Sequence, residues 1–160
     1  MNKSNLNGWA ISEDLLSWIH VNLKKGSTIL ELGSGTGTIE LTKDYKVYSI
    51  EHDSRWLNKA KDSNYLYAPI KDYDDYRWYD IDVVKSIDEI KYDLIIVDGP
   101  PGTIGREGFL YNIELFDTDV TIIIDDSNRP DELKLAKDLA FNLGREYKSY
   151  GGSEKSFIII

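Results

Sequence analysis

The chain of 160 residues contains no cysteine, which rules out a disulfide framework, a thiolate metal site and a thiol nucleophile. Long apolar runs are missing as well: none approaches the roughly 20 residues that cross a bilayer. The opening MNKSNLNGWAISEDLL lacks the continuous apolar core of a secretion signal, so a cytoplasmic location with no membrane partner is expected. Basic residues are few, 19 Lys and Arg against 28 Asp and Glu, for a net charge of −9. That balance disfavours nucleic acid as a partner while leaving room for a local basic patch. Repeats, linkers and low-complexity tracts are absent too. What remains, 41% hydrophobic and 29% charged, is ordinary globular composition, enough for one domain over 1–160 with its own core.

Seven runs read as strands: 28–32, 46–51, 65–70, 93–98, 120–125, 146–150 and 156–160. DLIIVD and VTIIID are continuously apolar and end in Asp, the pattern of central parallel strands covered on both faces. EYKSY alternates, as an edge strand does. Ser12 is placed to cap a helix carrying Leu15, Leu16, Ile19 and Leu23. A second helix is expected over 131–143, with Gly144 to end it. Shorter helices are expected after Gly37, Ser54 and Arg106. Alternating strand and helix predicts an α/β, Rossmann-like, doubly wound sheet of seven mostly parallel strands. Gly151–Gly152 between the last two strands predicts a C-terminal antiparallel hairpin.

TILELGSGTG places Gly33, Gly35 and Gly37 just after the first strand, where open α/β sheets bind ligands. Glycine removes the Cβ that holds a ligand away from the backbone. The spacing is G-x-G-x-G; the dinucleotide fingerprint G-x-G-x-x-G would need its third glycine at Thr38. Glu51, about 20 residues further on at the end of YSIEHD, is placed to accept hydrogen bonds from two ribose hydroxyls. The bland alternatives are a tight turn and a solvated acid.

ELGSGTG followed by VYSIEHD resembles the first two motifs of the class I S-adenosylmethionine-dependent methyltransferases. GWAIS, EHDSRWL and YDLIIVDGPPG are further similar to small sugar and glycan O-methyltransferases, the glucuronoxylan enzymes among them. The resemblance implies S-adenosyl-L-methionine as cofactor. Glu31 and the backbone of Gly33, Ser34, Gly35, Thr36 and Gly37 would then face its methionine part, with Asp98 bordering it. Glu51 would hold the ribose, and His52, Asp53, Pro69 and Ile70 would border the adenine. Trp56 could pack beside the adenine, but a place in the core is the expected one, and His20 is expected in a structural role.

Asp98, Asp125 and Asp126 end two neighbouring strands, so three carboxylates converge on the edge that carries the glycine loop. Their repulsion calls for a cation or a proton. In placement they are similar to the metal ligands of catechol-type and sugar O-methyltransferases, which implies Mg²⁺ or Mn²⁺. Acidic strand ends that merely cap loops are the plain alternative. Where the sugar enzymes carry a further Asp as base this chain has Pro100, so Asp98 and Asp126 are the candidates for that role. In DGPPGTIGREGF, Arg106 is a candidate for holding an acidic acceptor group, or else for pairing with acids on its own helix. The aromatic stretch 67–80 could stack a sugar ring or the adenine, or, as is more common, cover the sheet edge.

The resulting expectation is methylation of a sugar or glycan hydroxyl, with a small molecule or glycan as acceptor and the oligomeric state open. A noncatalytic cofactor-binding module, an NAD-binding oxidoreductase and an RNA methyltransferase are the competing readings. Lack of cysteine also removes the cysteine-adduct route to C5 of pyrimidines.

Overall fold

The computed structural model describes residues 11–160; of the GWAIS stretch, residues 8–10 lie outside it. In chain order the strands are β1 (Thr28–Leu32), β2 (Lys46–Glu51), β3 (Asn64–Tyr67), β4 (Ile70–Asp72) and β5 (Arg77–Tyr79). They continue as β6 (Leu94–Val97), β7 (Thr121–Ile124), β8 (Lys148–Gly151) and β9 (Ser156–Ile159). Seven of them form one sheet in the order β3-β2-β1-β6-β7-β9-β8. All pairs are parallel except those of β9, which runs antiparallel to both β7 and β8. The expected doubly wound sheet and reversed terminal hairpin are therefore present.

Strand alternation divides the core between the two faces of the sheet. Leu30, Leu32, Ile50, Ile95, Val97, Ile122 and Ile124 face one side, where α5 (Pro130–Leu143) contributes Leu135, Ala136, Leu139 and Ala140. Ile29, Val47, Leu94, Ile96 and Ile123 face the other, against Leu15 and Ile19 of α1 (Glu13–Asn22) and Leu41 of α2 (Thr36–Leu41). Because successive residues of β6 are buried on opposite faces, the run reads as uniformly apolar. Each such side chain contributes about 1.5–3 kcal/mol of burial. Ser12 caps α1, its Oγ accepting the Leu15 amide at 3.2 Å. Gly144 ends α5 at φ 62°, left-handed as a C-cap glycine should be.

Two expectations are corrected. No helix follows Ser54: residues 54–62 form successive turns, and Asn58 at φ 62° interrupts any helical run. The strand expected over 65–70 stops at Tyr67, and Ile70 instead opens a separate antiparallel pair, β4 with β5. Pro69 has no amide to continue the ladder. That pair carries Trp78 and Tyr79, both fully buried in the core, while Tyr67 at the start of the aromatic stretch is exposed. Two short helices, α3 (Ile81–Val84) and α4 (Gly108–Tyr111), complete this face. Among the described residues no helix is long and apolar enough to cross a membrane.

Candidate active site

The strand register assembles the site. Leu32 is level with Ile50 and Val97, and Val97 with Ile124. The next residue of each strand, Gly33, Glu51, Asp98 and Asp125, therefore falls in one row along the carboxyl edge. This row lies where the strand order reverses between β1 and β6, the position at which open α/β sheets bind ligands. A cavity of about 780 Å³ opens over it, within the range of small-molecule sites.

The glycine loop serves packing as much as access. Gly33 has φ +90°, and a Cβ there would lie 2.9 Å from the Asp98 carbonyl and from Gly99 Cα. Gly99 is bare for the reciprocal reason, a Cβ meeting Gly33 Cα at 2.8 Å and the Tyr79 hydroxyl at 2.5 Å. A Cβ on Gly37 would strike Ile11 at 2.7 Å. Gly33, Ser34 and Gly35 line the cavity; Thr36 and Gly37 lie outside its lining.

Glu31 also stands outside the lining, on the far face of β1 opposite Ser49. Its Oε1 accepts from Thr38 Oγ1 and Ser49 Oγ, both at 2.6 Å, and Thr38 Oγ1 in turn accepts the Gly35 amide at 3.0 Å. Glu31 thus props the loop from behind. Burial raises its pKa to about 7, against the lowering effect of the two hydroxyls. Glu51 does line the cavity. It accepts the Ser34 amide at 2.9 Å and the Asp53 amide at 2.8 Å. His52 Nδ1 stands 3.1 Å from Glu51 Oε1; a carboxylate has about four acceptor positions, so acceptor capacity remains for a ligand.

His52, Asp53 and Trp56 form the next wall. Trp56 is half-buried, with Lys59 Nζ 4.5 Å above its ring, and is not the core residue expected. Asp53 is held at a pKa of about 2 by hydrogen bonds from Arg55. Pro69 and Ile70 are outside the lining, and the Pro69 carbonyl is taken by the Asp80 amide. Tyr79, part of the aromatic stretch 67–80 but not singled out there, contributes a buried hydroxyl with no hydrogen-bond partner among the described residues. His20 pairs with Asp44 at 3.3 Å away from the cavity, a structural role.

Asp98, Asp125 and Asp126 do converge, with an oxygen of each within 4.8 Å of the others. Asp98 and Asp126 line the cavity, while Asp125 is fully buried beneath it. Three cations of the chain contact them: Arg106, Lys155 and, 3.4 Å from Asp126 Oδ2, Arg129. Arg106 is buried, and its Nη2 lies 3.0 Å from Asp126 Oδ2 and 3.5 Å from Asp98 Oδ1. Its other donors reach the carbonyls of Pro100, Asp125 and Asp98 at 3.0–3.2 Å. Arg106 lines the cavity and ties three loops together, its donors taken by carbonyls and carboxylates of neighbouring loops and not by acids on its own helix.

Lys155, on the β8–β9 turn, sits 2.6 Å from Asp126 Oδ1 and 3.2 Å from Asp125 Oδ2. Hydrogen bonds from the Ser127 amide to the Ser156 carbonyl and between the two hydroxyls hold that turn over the strand ends. Burial, then Asp125, pushes the Asp98 carboxyl well above the usual carboxylate range, and burial raises Asp125 as well. Burial acts on Asp126 in the same direction, but Lys155 and Arg106 prevail and hold it below its ordinary value. Mg²⁺ requires near-octahedral oxygens at about 2.0–2.1 Å. With an ammonium already between two of the three carboxylates, the donor set as it stands does not fit a resident divalent ion.

No protein-family model matches the sequence, and no curated protein is similar to it. Solved structures match it in fold. A protein from Clostridium thermocellum assigned as an rRNA-methylase superimposes with a TM-score of 0.57 at 11% identity, covering 94% of this chain and 96% of its own. A protein from Staphylococcus aureus assigned as a caffeoyl-CoA O-methyltransferase gives 0.58 at 14%, covering 90% and 79%. Magnesium protoporphyrin IX methyltransferase from Synechocystis, with bound SAM, gives 0.51 at 13%, covering 90% and 74%. The chain thus has the Rossmann-like fold of the S-adenosylmethionine-dependent methyltransferases.

Proposed function

We propose that the protein is an S-adenosylmethionine-dependent methyltransferase acting on a hydroxyl oxygen of a sugar or glycan. The observation that carries the reading is the row Gly33–Glu51–Asp98 beneath one cavity at the switch point of the sheet. The backbone of Gly33–Gly35 would receive the methionine part, the free lone pairs of Glu51 the ribose, and His52, Asp53 and Trp56 the adenine. S-adenosylmethionine supplies a methyl group on a sulfonium, so a C–O bond forms as the S–C bond breaks and the hydroxyl proton must leave.

The chain's part is to align the acceptor and receive that proton. Alignment supplies much of the acceleration. Asp126 lines the cavity and is held below its ordinary pKa by Lys155 and Arg106, so it is ionised at neutral pH and is the carboxylate placed to receive the proton. Asp98 holds its proton more tightly and would donate a hydrogen bond instead. No step is routed through a metal.

RNA is a second reading, supported by Arg55, Arg129 and Lys155 around the cavity and by the likeness to an rRNA-methylase. It predicts binding that weakens steeply with salt. Calorimetric titration with S-adenosylhomocysteine tests the cofactor site directly. Saturable binding supports the methyltransferase reading; no binding, with NAD bound instead, would replace it by an oxidoreductase. Binding without transfer to any sugar, glycan or RNA acceptor would leave the noncatalytic module.

A further inference from the structure

We infer that Lys155 is the resident cation of this site, occupying the position a divalent ion takes between strand-end carboxylates, and that its ammonium grips the acceptor oxygen. The acceptor half of this inference rests on the methyltransferase reading above; the cation half does not. Four carboxylates, Asp98, Asp125, Asp126 and Glu132, face three cations, Arg106, Arg129 and Lys155, within ion-pair distance of one another. With every group at its formal charge the cluster carries one net negative charge, and with Asp98 holding its proton it is neutral. Adding a divalent ion would overshoot neutrality in a site where Arg106, Asp125, Asp126 and Glu132 are all buried. Removing the lysine charge would instead leave Asp125 and Asp126 without their ammonium and the cluster one charge more negative, which favours a cation.

Geometry agrees with charge. Lys155 Nζ contacts Asp126 Oδ1 and Asp125 Oδ2, the two residues that would chelate from the end of β7. The fully buried Asp125 oxygens have no hydrogen-bond partner among the described residues, so the nearby ammonium is their main compensation. Lysine has three donors; one bonds Asp126 Oδ1 and the ammonium is in ion-pair contact with Asp125 Oδ2, which leaves donor capacity for a ligand in the cavity Lys155 lines. The turn that carries Lys155 is fastened by Ser127 and Ser156, so the ammonium is held in place.

The test is a Mn²⁺ titration of the full chain, read as loss of the free-ion signal in electron paramagnetic resonance. It is run on wild type, Lys155→Met, Lys155→Arg and the double variant Lys155→Met/Asp125→Asn. Wild type and Lys155→Arg are expected to leave Mn²⁺ free. Lys155→Met should take up one ion per chain, and the added Asp125→Asn should abolish that uptake. Saturable uptake of one ion by wild type overturns the inference, as does a folded Lys155→Met that takes up none. Should Lys155→Met fail to fold, Lys155→Gln carries the same comparison. Failure of the methyltransferase reading would show separately, as absence of S-adenosylhomocysteine binding to wild type.

Discussion

The backbone amide of Ser34 donates to Glu51 Oε2 at 2.9 Å, fastening the glycine loop to the end of β2. The same carboxylate accepts the Asp53 amide, so one buried acid holds two segments that line the cavity. The two halves of the proposed cofactor site are therefore a single unit.

Replacing Glu51 by Gln puts an NH₂ group against one of those amides, donor facing donor. Leaving a buried donor unsatisfied costs about 1–3 kcal/mol. The expected outcome is a lower melting temperature together with S-adenosylhomocysteine affinity reduced by about tenfold or more. Equal affinity for the variant and wild type would remove Glu51 from the ligand site.

Gly33 and Gly35 should fail in different ways. Gly33→Ala adds a Cβ at φ +90°, 2.9 Å from the backbone of Asp98 and Gly99, and should destabilise the fold by about 1–3 kcal/mol. Gly35 has extended backbone at φ −159°, which any residue adopts, and it lines the cavity. Gly35→Val should therefore remain folded while losing cofactor binding. Denaturant melts and calorimetry on the pair separate the two effects.

Glu31 gives stability a defined pH dependence. Its folded pKa, about 7, lies above the ordinary 4.5, so the folded state binds the proton more tightly than the unfolded chain. This group's contribution is fully favourable below about pH 4.5 and is lost as pH rises through 7, a change on the order of 3 kcal/mol. Glu31→Gln should flatten the stability profile between pH 5 and 8 relative to wild type. Denaturant midpoints at the two pH values provide the check, and parallel profiles would refute the assignment.

Asp126→Asn should lower turnover by about 10²-fold or more, the scale of lost general-base catalysis, while changing S-adenosylhomocysteine affinity much less. Because Asp126 pairs with both Arg106 and Lys155, a melting curve must accompany the kinetics. Affinity falling in step with turnover would place Asp126 in cofactor binding.

Some of this was legible in the chain itself. DLIIVD and VTIIID read as central strands because burial on both faces demands an unbroken apolar run. Gly144 marked a helix end because only a residue tolerant of positive φ suits that position. Asp98, Asp125 and Glu51 were legible as strand-end acids, and parallel pairing brings such ends to one edge. Trp56 misled because its apolar character says nothing about which surface it covers. The stretch after Ser54 misled because local helix propensity does not reveal that Asn58 turns left-handed.

By itself, then, the sequence determined the central strands, the first and last helices, the reversed hairpin and the edge at which a ligand would meet glycine and acid. These follow from local signals: hydrophobic period, turn residues and caps. Tertiary structure alone decided why Gly33 must be glycine, since the reason is the backbone of Asp98–Gly99 on a neighbouring strand. It also decided that Arg106 faces inward to Asp98 and Asp126, and that Lys155 reaches two carboxylates some thirty positions earlier in the chain. Charge compensation in a buried site is set by distances between segments remote in sequence, and no local pattern encodes those distances.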